Sequence, residues 1–113
     1  MADPISPAIS TPTVPAWNED LIYATLGNPV RRRLVVSLAR GGPQPAADLK
    51  VHVGRRLDAT LKHLISLRSA GLVVQRENPG DGRKYLYELA GNVTVTKTEK
   101  VAALDFGFVT VRL

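Results

Sequence analysis

The stretch from residue 57 to residue 89 constrains this chain most, because its apolar pattern changes period at a single glycine. Leu57, Leu61, Leu64 and Leu67 or Arg68 recur at the three- and four-residue spacing of one helix face, over about residues 57–70. Gly71 follows as a left-handed C-terminal cap. Residues 72–77 (LVVQRE) and 83–89 (RKYLYEL) are then rich in Val, Leu and Tyr, as strands are. Between them NPGDG concentrates turn chemistry, so the pair reads as a β-hairpin with an exposed tip. A chain that runs from a leucine-lined helix straight into a hairpin has few folds open to it.

Upstream, the punctuation predicts three shorter helices. Asn18 caps one over residues 19–27, with Leu21, Ile22, Thr25 and Leu26 grouped on one side and Trp17 placed to staple its start. Asn28 followed by Pro29 starts another, since Asn accepts orphan amide bonds and Pro needs no partner at the first helical position. That helix runs to about Arg40 on the apolar face Val30, Leu34, Val35 and Leu38, and Gly41 and Gly42 end it. Pro45 opens a third through Val53, with Ala46, Leu49 and Val53 inward and Gly54 as its stop. The third and fourth helices, joined by a tight glycine-containing turn, form a helix-turn-helix.

Residues 1–16 carry four of the eight prolines, together with Ser and Thr, and show no periodicity, which predicts a flexible tail. After Gly91, the alternation at Val93, Val95 and through residues 101–113 predicts further strands, with Gly107 marking a bulge. The organisation expected is therefore a tail over 1–16, a helical and hairpin domain over 17–91 and a β-extension over 92–113. In class this is α+β, mainly α: a winged helix-turn-helix with a β-hairpin wing and extra C-terminal strands.

That architecture lays its fourth helix in the major groove of duplex DNA and its hairpin along the backbone. With Leu57, Leu61 and Leu64 inward, Arg55, Arg56, Ala59, Lys62, His63 and Ser66 fall toward solvent near the DNA side. Arg donates bidentately to guanine, Lys neutralises phosphate, and Ala59 suits a thymine methyl. Arg83 and Lys84 place charge on the wing, and the triplet Arg31, Arg32 and Arg33 at the start of the second helix adds backbone contacts. Lys and Arg number 15 against 10 Asp and Glu, a net charge of +5, which favours a polyanionic partner. The rival reading of each cation is a merely solvated surface or an internal ion pair.

Taken together, NPVRRRLVVSLARGG (28–42), LKHLISLRSAGLVVQRE (61–77) and the wing GRKYLYEL (82–89) resemble the ArsR-like winged helix-turn-helix regulators over about residues 20–90. The resemblance implies a dimeric transcriptional repressor or regulator. It sets Arg56 where a capping Ser or Thr usually begins the recognition helix, Asp58 in the first turn, and Lys62 and His63 in the DNA-facing middle. Asp58 as the cap instead would shift the helix by about two residues. The sensor sites of better-known members have no counterpart: cysteine-free PAADLKVHV stands where their cysteines lie, and the strand-like VAALDFGFVTVRL replaces the C-terminal helix that carries their Asp and His ligands.

One winged helix reads few base pairs, so a homodimer on two half-sites is expected. Its interface would come from the first helix, with Trp17, Leu21 and Ile22, and the last strands, with Leu104, Phe106, Phe108, Val109 and Val111; the same strands equally well extend the chain's own core. No catalytic residues, cofactor or metal are expected. A phosphate loop, a thiol nucleophile and a paired acid and base are all missing, and His52 and His63 lack carboxylates at ligand spacing. The sequence contains neither a membrane-length apolar run nor a secretory leader, so a cytoplasmic setting is expected. The alternative function is a winged-helix module for protein or RNA, with a protein partner at the C-terminal strands.

Overall fold

In the computed structural model residues 17–113 are described, apart from the side chains of residues 81–84. The expected N-terminal tail lies outside them. Helix α1 (Glu19–Leu26) begins where Asn18 Oδ1 accepts the Leu21 amide at 3.0 Å. Helix α2 (Pro29–Gly41) begins where Asn28 Oδ1 accepts the amides of Val30 and Arg31. Helix α3 (Ala46–Val53) and helix α4 (Leu57–Ser69) complete the helical layer.

Two helix ends share one device. Gly54 and Gly71 adopt φ of 65° and 82°, which a side chain resists. The chain then doubles back so that the Arg55 amide donates to the Lys50 carbonyl and the Leu72 amide to the Leu67 carbonyl. At Gly71 the reversal brings Leu72 onto Leu67, both fully buried, and aims the chain into the hairpin. Strand β1 (Val73–Asn78) pairs antiparallel with β2 (Asp81–Leu89), matching Val73 to Leu89 and Gln75 to Tyr87. Pro79 and Gly80 form the tip. Gln44 exchanges backbone hydrogen bonds with Tyr87 at 3.0 and 2.8 Å, so the α2–α3 connection adds a short third rung to the wing.

The C-terminal residues form a separate meander, β3 (Thr94–Lys97), β4 (Ala102–Asp105) and β5 (Thr110–Arg112), in that spatial order. Gly107 sits at φ 90° in the β4–β5 turn, where its amide donates to Asp105 Oδ1; it is a turn residue, not the expected bulge. Ala102, Leu104 and Phe106 are buried, and Leu104 and Phe106 join Ile22, Leu34, Val35, Leu49, Leu64 and Leu67 in one core. Lys97 Nζ donates to the Ala39 carbonyl and Arg40 Nη1 to the Thr98 carbonyl, placing cations where α2's last carbonyls are unpaired and tying the meander to the helix end.

Two expectations change here. Leu57 is 43% exposed, while Thr60 is fully buried beside Leu64 and Leu67. Burial of Thr60 is tolerated because its hydroxyl donates to the Arg56 carbonyl at 2.9 Å, which leaves no unpaired polar atom in the core. Ile22 and Phe106 are buried in this chain, and Trp17 packs edge-on against Phe106 at 5.2 Å between ring centroids. Ile22, Leu104 and Phe106 are thus not left for an interface between copies, while half-buried Trp17 joins the meander to the core as well as standing before α1. Among the described residues no helix is long and apolar enough to cross a membrane.

Candidate nucleic-acid interface

Helix α4 turns Thr60, Leu64 and Leu67 to the core, so its opposite side is set by the helical period. That side carries Asp58, Lys62, Ile65 and Ser69, all exposed. Arg55 and Arg56, in the turn before α4, are exposed at its N-terminal end. Arg56 Nε stands 3.5 Å from Asp58 Oδ1, with the two side chains 88% and 68% exposed, so the pair is loose and solvated. Its guanidinium retains donors for another acceptor. Arg56 occupies the cap position without a side-chain cap bond, and α4 starts at Leu57, so the helix is not shifted to an Asp58 cap.

The exposed end of α4 meets two neighbours. Lys50 of α3 joins Arg56, Leu57, Asp58 and Leu61 around a hollow of about 540 Å³. A smaller hollow of about 230 Å³ shares Leu57 and Leu61 with Tyr85 and Tyr87 of β2. Sequence reasoning left Lys50, Leu57 and Tyr85 out of the site. Lys50 directly follows buried Leu49 and so lies on α3's flank, a signal that was legible; the proximity of Tyr85 depends on how the wing folds back. On the wing itself Arg76 pairs with Glu88 at 2.7 Å. Arg83 and Lys84 lie on β2, their side chains outside the described residues.

The remaining predicted contacts are brought together, but with one another. Arg31 Nε donates to His63 Nδ1 at 3.3 Å, and its Nη1 reaches the Thr25 carbonyl. Arg32 Nη1 donates to the Leu26 carbonyl at 2.7 Å. The two arginines thus satisfy carbonyls at the end of α1, which has no basic residue of its own in its last turn. Burial first, then the Arg31 and Arg55 cations, hold the His63 imidazole below its ordinary value of 6.5. A neutral ring keeps Nδ1 free to accept. Arg31, Arg32 and His63 are therefore half-buried struts between α1, α2 and α4, and Ala59 is half-buried on the same flank. The exposed cluster is Arg55, Arg56, Asp58 and Lys62. Among the described residues no group of three or more His, Asp or Glu side chains is placed to hold a metal ion.

No family model and no curated protein matches the chain. Solved structures do. A "probable transcriptional regulator" from Pseudomonas aeruginosa superposes with a TM-score of 0.55 at 25% identity, over 64% of this chain and 57% of that one. A mutant MarR from E. coli complexed with operator DNA gives 0.55 at 24%, over 64% and 54%. A transcriptional regulator from Thermotoga maritima gives 0.57 at 16%, over 65% and 51%. This chain thus spans little more than half the length of each. The fold is the winged helix, four helices with antiparallel strands, that those proteins share.

Proposed function

We propose that this protein is a sequence-specific, duplex-DNA-binding transcriptional regulator of the ArsR-like kind, a repressor that acts by occupying its operator as a homodimer. The observation that carries the reading is the coincidence of exposed cations with the element that the fold offers to the major groove. Arg55, Arg56 and Lys62 lie at the free end and outer side of α4, with Lys50 beside them. Support comes from the superposed MarR protein, itself bound to operator DNA. In this reading Lys50 and Lys62 neutralise phosphates, Arg55 and Arg56 supply base or backbone contacts, and Arg83 and Lys84 act from the wing. No metal takes part and no bond is made or broken.

The dimer rests on Tyr23 and Phe108, 49% and 38% exposed, with half-buried Val109 beside Phe108, and on Leu21, 38% exposed on α1. The Tyr23 and Phe108 rings lie 5.7 Å apart, a contiguous aromatic surface of the kind that marks an interface.

The test is fluorescence anisotropy of the full chain against its own promoter and against random duplex, at two salt concentrations. Promoter binding is expected to be the tighter, and to lose about one unit of logarithmic slope per phosphate neutralised as salt rises. Arg56→Ala with Lys62→Ala is expected to weaken binding by tenfold or more, at about 1–3 kcal/mol for a base-contacting Arg. Absence of binding at low salt would turn the reading to a protein-docking or RNA-binding module.

A further inference from the structure

Helix α2 carries Arg33, Val36, Ser37 and Arg40 at spacings that put all four on one side. That side is not a convex solvated face. With Gly41, Gln44 and His52 it lines an open cleft of about 640 Å³ between α2 and α3, within the size range of small-molecule sites. Arg33 has no hydrogen-bond or ion-pair partner among the described residues, and no Asp or Glu lines the cleft.

The floor is fixed before any ligand arrives. Gln44 is buried, and its amide nitrogen donates to the carbonyls of Ser37 and Gly42 at 2.9 and 3.2 Å. A β-carbon at Gly41 would come within 2.7 Å of that nitrogen, so the glycine leaves room for it. Ser37 Oγ stands 2.8 Å from His52 Nδ1. The same hydroxyl lies 3.4 Å from Gln44 Oε1, so Ser37 links the buried amide to the imidazole. Arg40 is steadied by its bond to the Thr98 carbonyl. The rim therefore carries two permanent cations, Arg33 and Arg40, while Val36, Gly41 and the arginine methylenes supply apolar surface.

We propose that this cleft binds a small organic anion, a carboxylate or phosphate monoester on an apolar body, with Arg33 and Arg40 holding the charged head from two turns of one helix. Two guanidiniums match the planar or trigonal oxygens of such a head. The cleft is separate from the DNA-facing surface. His52 and Lys50 are two residues apart, about 160° around α3, so the cleft and the Lys50 hollow open on opposite flanks of that helix.

The experiment uses the full chain without DNA, so its outcome is independent of the DNA reading. Benzoate and phenyl phosphate are titrated while ¹⁵N amide shifts are followed, with benzyl alcohol, acetate and inorganic phosphate alongside. Expected are saturable shifts confined to Ser37, Gly41, Gln44 and His52 for the two ring-bearing anions, with much weaker binding of the other three. Arg33→Gln with Arg40→Gln is expected to weaken benzoate binding tenfold or more, about 1.4 kcal/mol. Arg33→Gln alone, at an exposed position, serves if the double variant unfolds, and is expected to weaken it several-fold. Arg112→Gln with Lys100→Gln, the same charge loss elsewhere, is expected to change nothing. The proposal is overturned if benzoate and phenyl phosphate do not bind, if acetate binds as tightly as benzoate, or if the control variant weakens binding equally.

Discussion

At the scale of the single residue, the same side chain type does opposite work a few positions apart. Arg31 and Arg32 spend their guanidiniums on His63 and on the last carbonyls of α1, whereas Arg33, next in sequence, is exposed over a cleft. His63 makes this testable by pH. Its folded-state value lies below the unfolded 6.5, so the folded protein prefers the neutral ring. That contribution to stability is complete above about pH 6.5 and is lost as pH falls, because the unfolded chain then binds the proton more readily. Protonation would also set an imidazolium against Arg31 and end its acceptance of the Arg31 hydrogen bond. Urea unfolding at a series of pH values is expected to show a midpoint that drops below pH 6.5, with a smaller drop in His63→Gln. An unchanged profile in that variant would remove His63 as the titrating group.

At the scale of the element, the question is which side of α4 is bound to the core. Leu64 is fully buried among residues from several helices, whereas Leu57 is 43% exposed at the start of the helix. Leu64→Ala is therefore expected to cost about 2–5 kcal/mol in denaturant unfolding. Leu57→Ala is expected to cost about 0.5 kcal/mol or less, as surface substitutions do. Equal costs would mean that Leu57 is packed and that α4 is rotated from the orientation that exposes Lys62. The element scale is also where local signals were most readable: Asn18, Asn28, Gly54 and Gly71 mark helix ends in the sequence and in the structure alike.

At the scale of the whole molecule, the C-terminal meander decides what surface remains for a second copy. By burying Leu104 and Phe106 and receiving Trp17 on Phe106, it completes the core of its own chain. What it leaves outside is Phe108, with the Tyr23 ring against it. The variant Phe108→Ser with Tyr23→Ser is expected to shift a dimer to monomer in sedimentation while leaving the helical circular-dichroism signal in place. A wild-type monomer at tens of micromolar would dispose of this interface, and with it the two-half-site geometry.

What the sequence by itself determined is whatever rests on contacts within a turn or two of chain. Caps, glycine reversals, the Pro79–Gly80 tip and the order of helices and hairpin follow from hydrogen bonds between residues a few positions apart, whose partners are named by the sequence itself. Even the basic character of α4's free end was legible, because Arg55, Arg56 and Lys62 are neighbours in the chain. Only the tertiary structure decided that Thr60 replaces Leu57 in the core, that Gln44 bridges to Tyr87, that Phe106 turns inward, and that Arg31 meets His63 across 32 residues of sequence. Leucine spacing gives a helix an apolar side but not its rotation. That rotation is set by which neighbours close-pack and which polar atoms find partners, a condition met only when distant segments are assembled together.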